Sequence, residues 1–208
     1  ESVLKEDYHI SEKTDGLRYL MVISHDCGGM FLVNRSGHIF SVSDFNQVPG
    51  FSHVFNNTVL DGEMVIHQRT NLPYFLLFDC VRFKGDSVVH LPLDGRLKTI
   101  GDFVATYRHQ FPDTRAHPFG LLGKTVLPKS RLAQITKSIV EDASGKRTYI
   151  EGDGTKRCHL TDGLIFTPSK LPYAFGTCFT MFKWKYVDLQ SIDFLIKFDS
   201  PPDPNQNL

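Results

Sequence analysis

The feature that most constrains this chain is a series of short β-prone runs separated by turns that contain glycine. Four runs, at 8–12, 19–24, 30–33 and 38–42, are divided by glycine-containing segments at 27–29 and 36–37. This spacing is typical of an antiparallel meander. Two longer runs, 59–67 and 74–83, flank the polar segment 68–71 and predict a hairpin in the core. Further strands are predicted at 164–167, 179–185 and 192–198.

The hydrophobic period changes from strand-like to helical in two places. Apolar residues recur at helical spacing between Leu93 and Phe111, which predicts a helix packed outside a sheet. A second helix is expected after Pro128, with Leu132, Ile135 and Ile139 on one face. The polar stretch 141–161 is expected to be a partly mobile surface excursion. One domain is predicted over 1–198, followed by a disordered tail or linker at 199–208.

Charge and cysteine content exclude several classes of protein. Lysine plus arginine equals aspartate plus glutamate, 23 of each in 208 residues, so no overall positive field attracts nucleic acid or membrane. A site for polyanions must therefore be local. The four cysteines lie far apart, which argues against a zinc site or a disulfide framework and suits a reducing compartment. Apolar runs all fall short of the roughly 20 residues of a membrane-spanning helix.

The stretch KTDGLR, residues 13–18, concentrates charge at a predicted strand junction. Lys13 ends one strand and Arg18 begins the next, while Gly16 permits the tight connection between them. The stretch alone is equally compatible with a solvated turn.

Three further clusters lie on or beside predicted strands. LDGEM places Asp61 and Glu63 on one face of an apolar strand, where carboxylates are costly unless a metal, a sugar hydroxyl or a cation satisfies them. DGLIF begins a strand with Asp162. FKWK turns Lys183 and Lys185 to one face, which suggests that an anionic group lies between them. Edge acids, a turn cap and a lysine-guarded edge strand are the structural alternatives.

Together these clusters supply a candidate nucleophile, further cations and several carboxylates, a set that suits a nucleoside triphosphate. A lysine attacks phosphorus only when it is neutral, and neighbouring ammonium groups such as Lys183 and Lys185 would lower the pKa of Lys13. The glycine-rich Walker loop is missing from the sequence, which excludes that type of phosphate cradle.

The segments KTDGLR, LDGEM, YFLLFD, DGLIF and FKWK, in this order, resemble the motifs of the covalent nucleotidyltransferases, and within them the mRNA capping guanylyltransferases. The resemblance implies an α+β, ATP-grasp-like fold of the DNA ligase and mRNA capping enzyme type, with antiparallel sheets and flanking helices. Members of this family continue into an OB-fold domain with an Arg-x-Asp-Lys motif, which this sequence lacks. A fragment without that domain is expected to have weak activity.

The resemblance also implies a role for each candidate residue. Lys13 would attack the α-phosphate of GTP to form a lysyl-GMP intermediate, and the GMP would pass to a 5′-diphosphate RNA end. Lys183 and Lys185 would grip the phosphates during catalysis. The remaining nucleotide contacts implied are Arg18 and Glu63 on the ribose, Phe78 stacked on guanine, Thr14 on the base edge, Lys124 on O6, and Arg35 on the triphosphate. Asp162, with Glu63, would place Mg²⁺ or Mn²⁺.

Two other functions stay open on sequence alone. One is the adenylation domain of an ATP-dependent polynucleotide ligase, which shares the lysine motif. The other is a non-catalytic domain that binds nucleotide or the tail of an RNA polymerase. A capping role implies RNA triphosphatase and cap methyltransferase as pathway partners, the RNA polymerase II C-terminal tail as a docking partner, and no membrane. It also implies a nuclear location, or a cytoplasmic one in a virus or an unusual parasite.

Overall fold

The computed structural model describes residues 2–113 and 117–196, which form two β-sheets with helices on their outer faces. The strands are β1 (Tyr8–Thr14), β2 (Leu17–Ser24), β3 (Gly29–Asn34), β4 (Ile39–Ser41), β5 (Thr58–Ile66), β6 (Pro73–Phe83), β7 (Asp86–Ser87), β8 (Gly120–Gly123), β9 (Leu127–Pro128), β10 (Ile139–Glu141), β11 (Arg147–Glu151), β12 (Arg157–Pro168) and β13 (Phe182–Lys185). The helices are α1 (Ser2–Lys5), α2 (Ser43–Asn46), α3 (Phe51–Val54), α4 (Leu93–Gln110) and α5 (Leu132–Lys137). Single 3₁₀ turns cover Lys129–Arg131 and Val187–Leu189.

The first sheet has the order β10-β11-β12-β1-β9, and β13 also pairs with β12. All its pairings are antiparallel. They place the first strand of the chain, β1, beside β12, which follows it by about 150 residues. Its small core combines Ile10 and Leu164 from the sheet with Ile135 from α5.

The second sheet has the order β4-β3-β2-β5-β6-β7, with β8 added parallel to β6. Its main core lies between the sheet and helices α2, α3 and α4, where Met21 and Phe75 meet Phe45, Phe51 and Phe103. The opposite face of β6 buries a smaller cluster around Tyr74 and Leu76. The sheet is therefore covered on both sides along its central strands.

Most of the predicted elements are confirmed. Three of the four predicted meander strands form β2-β3-β4, but the run at 8–12 is β1, which lies in the other sheet beside β12. The hairpin is β5-β6, and the predicted long helix is α4, packed on β6. Short connections turn as predicted, with Lys84 and Gly85 both at positive φ between β6 and β7. Antiparallel pairing predominates, so the predicted α+β class with antiparallel sheets and flanking helices is correct.

The prediction of a surface excursion over 141–161 is wrong, because this stretch contains β11 and the first half of β12. Its charges mislead, since they pair with each other inside the sheet. Arg147 bonds to Glu141 at 2.9 Å and Arg157 bonds to Glu151, while Tyr149 and His159 between them are buried. Neutralised charges thus alternate with core residues along both strands.

Three other predictions require correction. The second helix is only α5, and Ile139 belongs to β10, since the helix ends at Lys137. The strand predicted at 179–185 begins only at Phe182. Residues 192–196 of the strand predicted at 192–198 do not form a strand. Their side chains lie exposed, because no neighbouring strand in the part described is available to pair with them. Residues 197–198 and the predicted tail at 199–208 lie outside the described residues. None of the described helices is long and apolar enough to cross a membrane.

Candidate active site

A cavity of about 880 Å³ lies between the two sheets and is walled on one side by the segment that joins β12 to β13. Nine predicted site residues line it: Lys13, Thr14, Arg18, Arg35, Glu63, Phe78, Lys124, Lys183 and Lys185. The tenth, Asp162, bonds to two of these lysines. A second cavity of about 490 Å³, near α2 and the end of α4, contains none of the predicted residues.

The centre of the site is a carboxylate between two amines. Lys13 Nζ donates to both oxygens of Asp162 at 2.7 Å, and Lys185 Nζ lies 3.0 Å from Oδ2 of the same group. Partial burial opposes ionisation, but the hydrogen bonds from the two lysines outweigh it and hold the pKa of Asp162 below its usual value. The sequence predicts an anionic group between Lys183 and Lys185. Asp162 is an anionic partner of Lys185, and it also bonds to Lys13.

A β-bulge aims Asp162 at Lys13. Lys13 pairs with Gly163 and Thr14 pairs with Thr161, so Asp162 is an extra residue in β12. A bulge of this kind re-aims a side chain out of the regular alternation of the strand. Gly163 also pairs with Lys185, and a Cβ built on it would lie 1.9 Å from the backbone oxygen of Trp184. The glycine thus permits the close approach of β13 to β12.

A second bulge presents Phe78. Gly62 pairs with Leu77 and Asp61 with Asp79, which leaves Phe78 unpaired in β6 and facing the cleft. The guanidinium of Arg18 lies 5.6 Å from the centre of its ring, and Lys124 Nζ lies 5.9 Å from it. The ring is therefore a half-buried apolar platform flanked by cations.

Arg18 is held by a fully buried carboxylate. Its Nε donates to Asp61 Oδ1 at 2.9 Å, and a second guanidinium nitrogen donates to Oδ2. Tyr173 from the β12–β13 segment donates to Oδ2 at 2.8 Å. The hydrogen bond that Arg18 donates to Asp61 raises the pKa of Arg18, while burial raises the pKa of Tyr173. Asp61 thus holds the guanidinium of Arg18 in the cleft.

The β12–β13 segment is anchored by a buried arginine of α4. Arg96 is 1% exposed and donates to Asp79 at 2.6 Å and to the carbonyl oxygens of Leu91 and Leu171 at 2.6 and 2.7 Å. Burial raises the pKa of Asp79 in spite of this pairing. The anchor fixes the start of the segment that carries Tyr173 into the cleft.

Behind the base platform lies a second group of charges. Glu12 is fully buried; Lys124 Nζ lies 3.6 Å from its Oε1, and Thr14 donates to that oxygen at 3.1 Å. His159 Nε2 lies 3.1 Å from the same oxygen of Glu12. The other ring nitrogen of His159, Nδ1, lies 2.6 Å from the hydroxyl of Tyr74. Two of the predicted nucleotide contacts therefore share one buried carboxylate.

Glu63 is the second predicted metal ligand. Burial raises its pKa, although Lys124 and Lys13 oppose the shift. Within residues 2–113 and 117–196, no three acidic, histidine or cysteine side chains converge as a preformed metal cage. The two predicted ligands, Asp162 and Glu63, would suffice for Mg²⁺ only if the ion also bound phosphate oxygens, since this ion keeps waters and uses few protein ligands.

Several site residues were missed by the sequence analysis. Glu12 directly precedes the nucleophile, but an acid beside a lysine gives no signal of burial. Tyr173 and Arg96 lie in a segment and a helix whose patterns indicate only a turn and a surface face. His159 has no metal-ligand spacing in the sequence that would indicate a function. Only the pairing of distant strands brings these side chains together.

The model of the mRNA capping enzyme catalytic domain matches residues 1–187 of the chain. The chain belongs to this capping enzyme family. The mRNA-capping enzyme alpha subunits of Candida glabrata and Saccharomyces cerevisiae are each 32% identical to it over 97% of its length. The mouse mRNA-capping enzyme is 32% identical over 93%. The chain covers 46%, 45% and 31% of these relatives, so it spans less than half of their length.

Solved structures confirm the predicted nucleotidyltransferase fold. The ligase domain of M. tuberculosis LigD has a TM-score of 0.52 at 19% identity, covering 86% of this chain and 53% of that one. The Chlorella virus DNA ligase-adenylate has a TM-score of 0.53 at 14% identity, covering 86% of this chain and 60% of that one. At this level of identity the likeness concerns the fold alone, whereas the family match separates this capping-type chain from the ligases.

Proposed function

We propose that this chain is the guanylyltransferase domain of an mRNA capping enzyme, which moves GMP from GTP to the 5′-diphosphate end of RNA through Lys13. The observation that carries the proposal is the position of the Lys13 amine. It lies in a cleft between two sheets, bonded to Asp162 beside Lys185, with Lys183 on the same wall. Sequence membership in the capping family supports the same activity.

The reaction divides into two displacements at one phosphorus atom. In the first, Lys13 releases its ammonium proton to solvent and its amine attacks the α-phosphorus of GTP. A P–N bond forms as the nitrogen loses a second proton to solvent, the bond from phosphorus to the bridging oxygen breaks, and pyrophosphate leaves. In the second, a terminal oxygen of the RNA diphosphate attacks the same phosphorus and the P–N bond breaks, so the amine recovers its proton. Lys183 and Lys185 stabilise charge on the phosphates in both steps.

Asp162 has two functions in this scheme. It holds the Lys13 amine toward the cleft, because its pKa is low and it stays ionised. Incoming phosphate competes with it for Lys185, which frees carboxylate lone pairs for a divalent ion. Mg²⁺ or Mn²⁺ bound there with Glu63 would neutralise phosphate charge.

The base contacts favour guanine over adenine. Lys124 carries only donors, which match the O6 and N7 acceptors of guanine and clash with the 6-amino group of adenine. Phe78 lies 5.9 Å from this amine and offers the stacking surface. Arg18, fixed by Asp61, lies beside the same ring and would contact the ribose, and Arg35, which also lines the cleft, would contact the triphosphate.

The experiment is labelling with α-labelled GTP and, separately, ATP. Wild-type protein is expected to form an acid-labile covalent adduct with GTP, whereas Lys13→Ala forms none. Lys5→Ala removes an exposed lysine outside the cleft and serves as the matched control. Equal or preferential labelling by ATP would favour the ligase alternative. Absence of label and of GTP binding in the full-length protein would favour the non-catalytic one.

The substrate chemistry suggests the setting of this activity. A nascent transcript carries a triphosphate, so a triphosphatase must act first to supply the diphosphate, and a methyltransferase would act on the resulting cap. In a eukaryote these steps belong beside RNA polymerase II and its C-terminal tail in the nucleus. Microscopy of the tagged protein and co-purification with phosphorylated tail peptides check this part of the proposal.

A further inference from the structure

A buried hydrogen-bonded chain runs behind the residues that face the base. It begins at Tyr74 on β6, passes through His159 on β12 and ends at Glu12 on β1, so it connects the two sheets. Tyr74 is 5% exposed, and the other two are fully buried. None of these three residues has a role in the phosphoryl transfer described above.

Glu12 sets the arrangement of protons in this network. An ionised carboxylate can only accept, so His159 carries a proton on Nε2 and donates it to Glu12. In the tautomer with its proton on Nε2, Nδ1 accepts from the Tyr74 hydroxyl, whose oxygen accepts from the backbone N–H of Cys158 at 3.3 Å. Burial alone would raise the pKa of Glu12, but Lys124 and His159 bring it below the usual value, so Glu12 is an anion.

An anion at this position determines what the base-facing groups can offer. Lys124 Nζ lies near Glu12 Oε1, the Lys124 side chain is 3% exposed, and an ammonium can only donate. The single hydroxyl proton of Thr14 goes to a carboxylate, either Glu12 at 3.1 Å or the neighbouring Glu63. In either case the Thr14 oxygen is left to accept. The site therefore presents one donor and one acceptor.

This polarity matches the edge of guanine and opposes that of adenine. Guanine offers the O6 acceptor followed by the N1–H and 2-amino donors, whereas adenine offers a 6-amino donor followed by the N1 acceptor. Lys124 complements O6, and the Thr14 oxygen complements a guanine N–H. With adenine, the Lys124 donor would face the 6-amino donor, and the Thr14 acceptor would face the N1 acceptor.

We propose that Glu12, held by His159 and Tyr74, is a positioning residue that sets the preference of the site for guanine by fixing Lys124 and Thr14. This inference rests on the proposed function. A structural role alone explains the group poorly, because a buried carboxylate is costly and its Oε2 accepts no hydrogen bond from the described part of the chain.

The test compares the dissociation constants of GTP and 2-aminopurine riboside triphosphate, which lacks O6 and the N1 proton but keeps the 2-amino group. Wild type is expected to favour GTP. Glu12→Gln is expected to reduce this preference by about tenfold, because it loosens a charged contact. Glu141→Gln, an exposed glutamate on β10, is the matched control and should keep the wild-type ratio.

Two further variants separate positioning from a general loss of structure. In a Lys124→Met background, Glu12→Gln should change the ratio less than it does alone, because only the contact through Thr14 remains. If Glu12→Gln does not fold, Tyr74→Phe tests the proposal instead, since it removes one hydroxyl at the far end of the hydrogen-bonded series Tyr74–His159–Glu12. It is expected to lower the preference about two- to threefold, in the same direction.

The outcomes distinguish the two proposals. A wild-type protein that binds GTP no better than ATP would contradict the proposed function itself. A wild-type protein that prefers GTP, together with folded Glu12→Gln and Tyr74→Phe variants that keep the full preference, would overturn only the role of Glu12. An additive loss in the Lys124→Met background would also overturn it.

Discussion

The packing of β13 against β12 makes Gly163→Ala the most informative single substitution in this protein. An alanine Cβ would lie 1.9 Å from the backbone oxygen of Trp184, against an ordinary contact of at least 3.4 Å. To relieve this contact, β13 must move away from β12 by about 1.5 Å. The distance from Lys185 to Asp162, now 3.0 Å, would then exceed the 4 Å range of an ion pair.

The expected effects differ in size for stability and for binding. Overpacking typically costs about 1–3 kcal/mol, and β13 is a four-residue strand on the sheet's periphery, so the loss of unfolding free energy should lie in that range. Nucleotide affinity should fall more, by about 10²-fold or beyond, because the two lysines proposed to bind phosphate move together and each charged contact is worth about 1.5–3 kcal/mol.

Urea unfolding and titration with GTP measure the two quantities on the same protein. Gly101→Ala is the matched control, since Gly101 lies on α4 with no atom within 4 Å of an added Cβ. Alanine should stabilise that exposed helical position by up to about 1 kcal/mol and leave GTP binding unchanged. A Gly163→Ala protein with wild-type affinity for GTP would refute the idea that this contact positions the lysines.

Two further predictions concern the carboxylates of the cleft. The pKa of Asp162 is depressed in the folded state, so the stabilisation by its carboxylate is present above about pH 4 and is lost as the pH falls through the folded pKa. The stability advantage of wild type over Asp162→Asn, measured by urea unfolding, should therefore shrink as the pH falls through that window. A difference that stays constant with pH would contradict the assignment. Burial raises the pKa of Glu63, so Glu63→Gln should leave unfolding free energy at pH 7 equal or higher while GTP affinity falls; a clear loss of stability would contradict this account.

The order of local motifs made much of the candidate site predictable. KTDGLR, LDGEM, YFLLFD, DGLIF and FKWK each lie on or beside a strand, and nine predicted residues line one cleft. Alternation also predicted that Lys183 and Lys185 share a face. The motifs and the alternation of side chains along a strand depend only on residues close together in the sequence, so they can be predicted from it.

Features that depend on pairing between distant strands were not predictable in the same way. The bulges at Asp162 and Phe78 exist only relative to their partner strands, since an extra residue is defined by the register across the ladder. The error over 141–161 has the same origin, because charges that pair within a sheet look solvated in a single sequence.

The sequence by itself determined the chemical inventory of this protein: an amine, its companion cations, the carboxylates and an aromatic platform, in an order shared by a family. The tertiary structure alone decided that Lys13 meets Asp162 across 149 positions and that a buried carboxylate, Glu12, contacts both Thr14 and Lys124. The physical reason is that side-chain type is a local property, whereas burial and ionisation depend on which distant strands become neighbours.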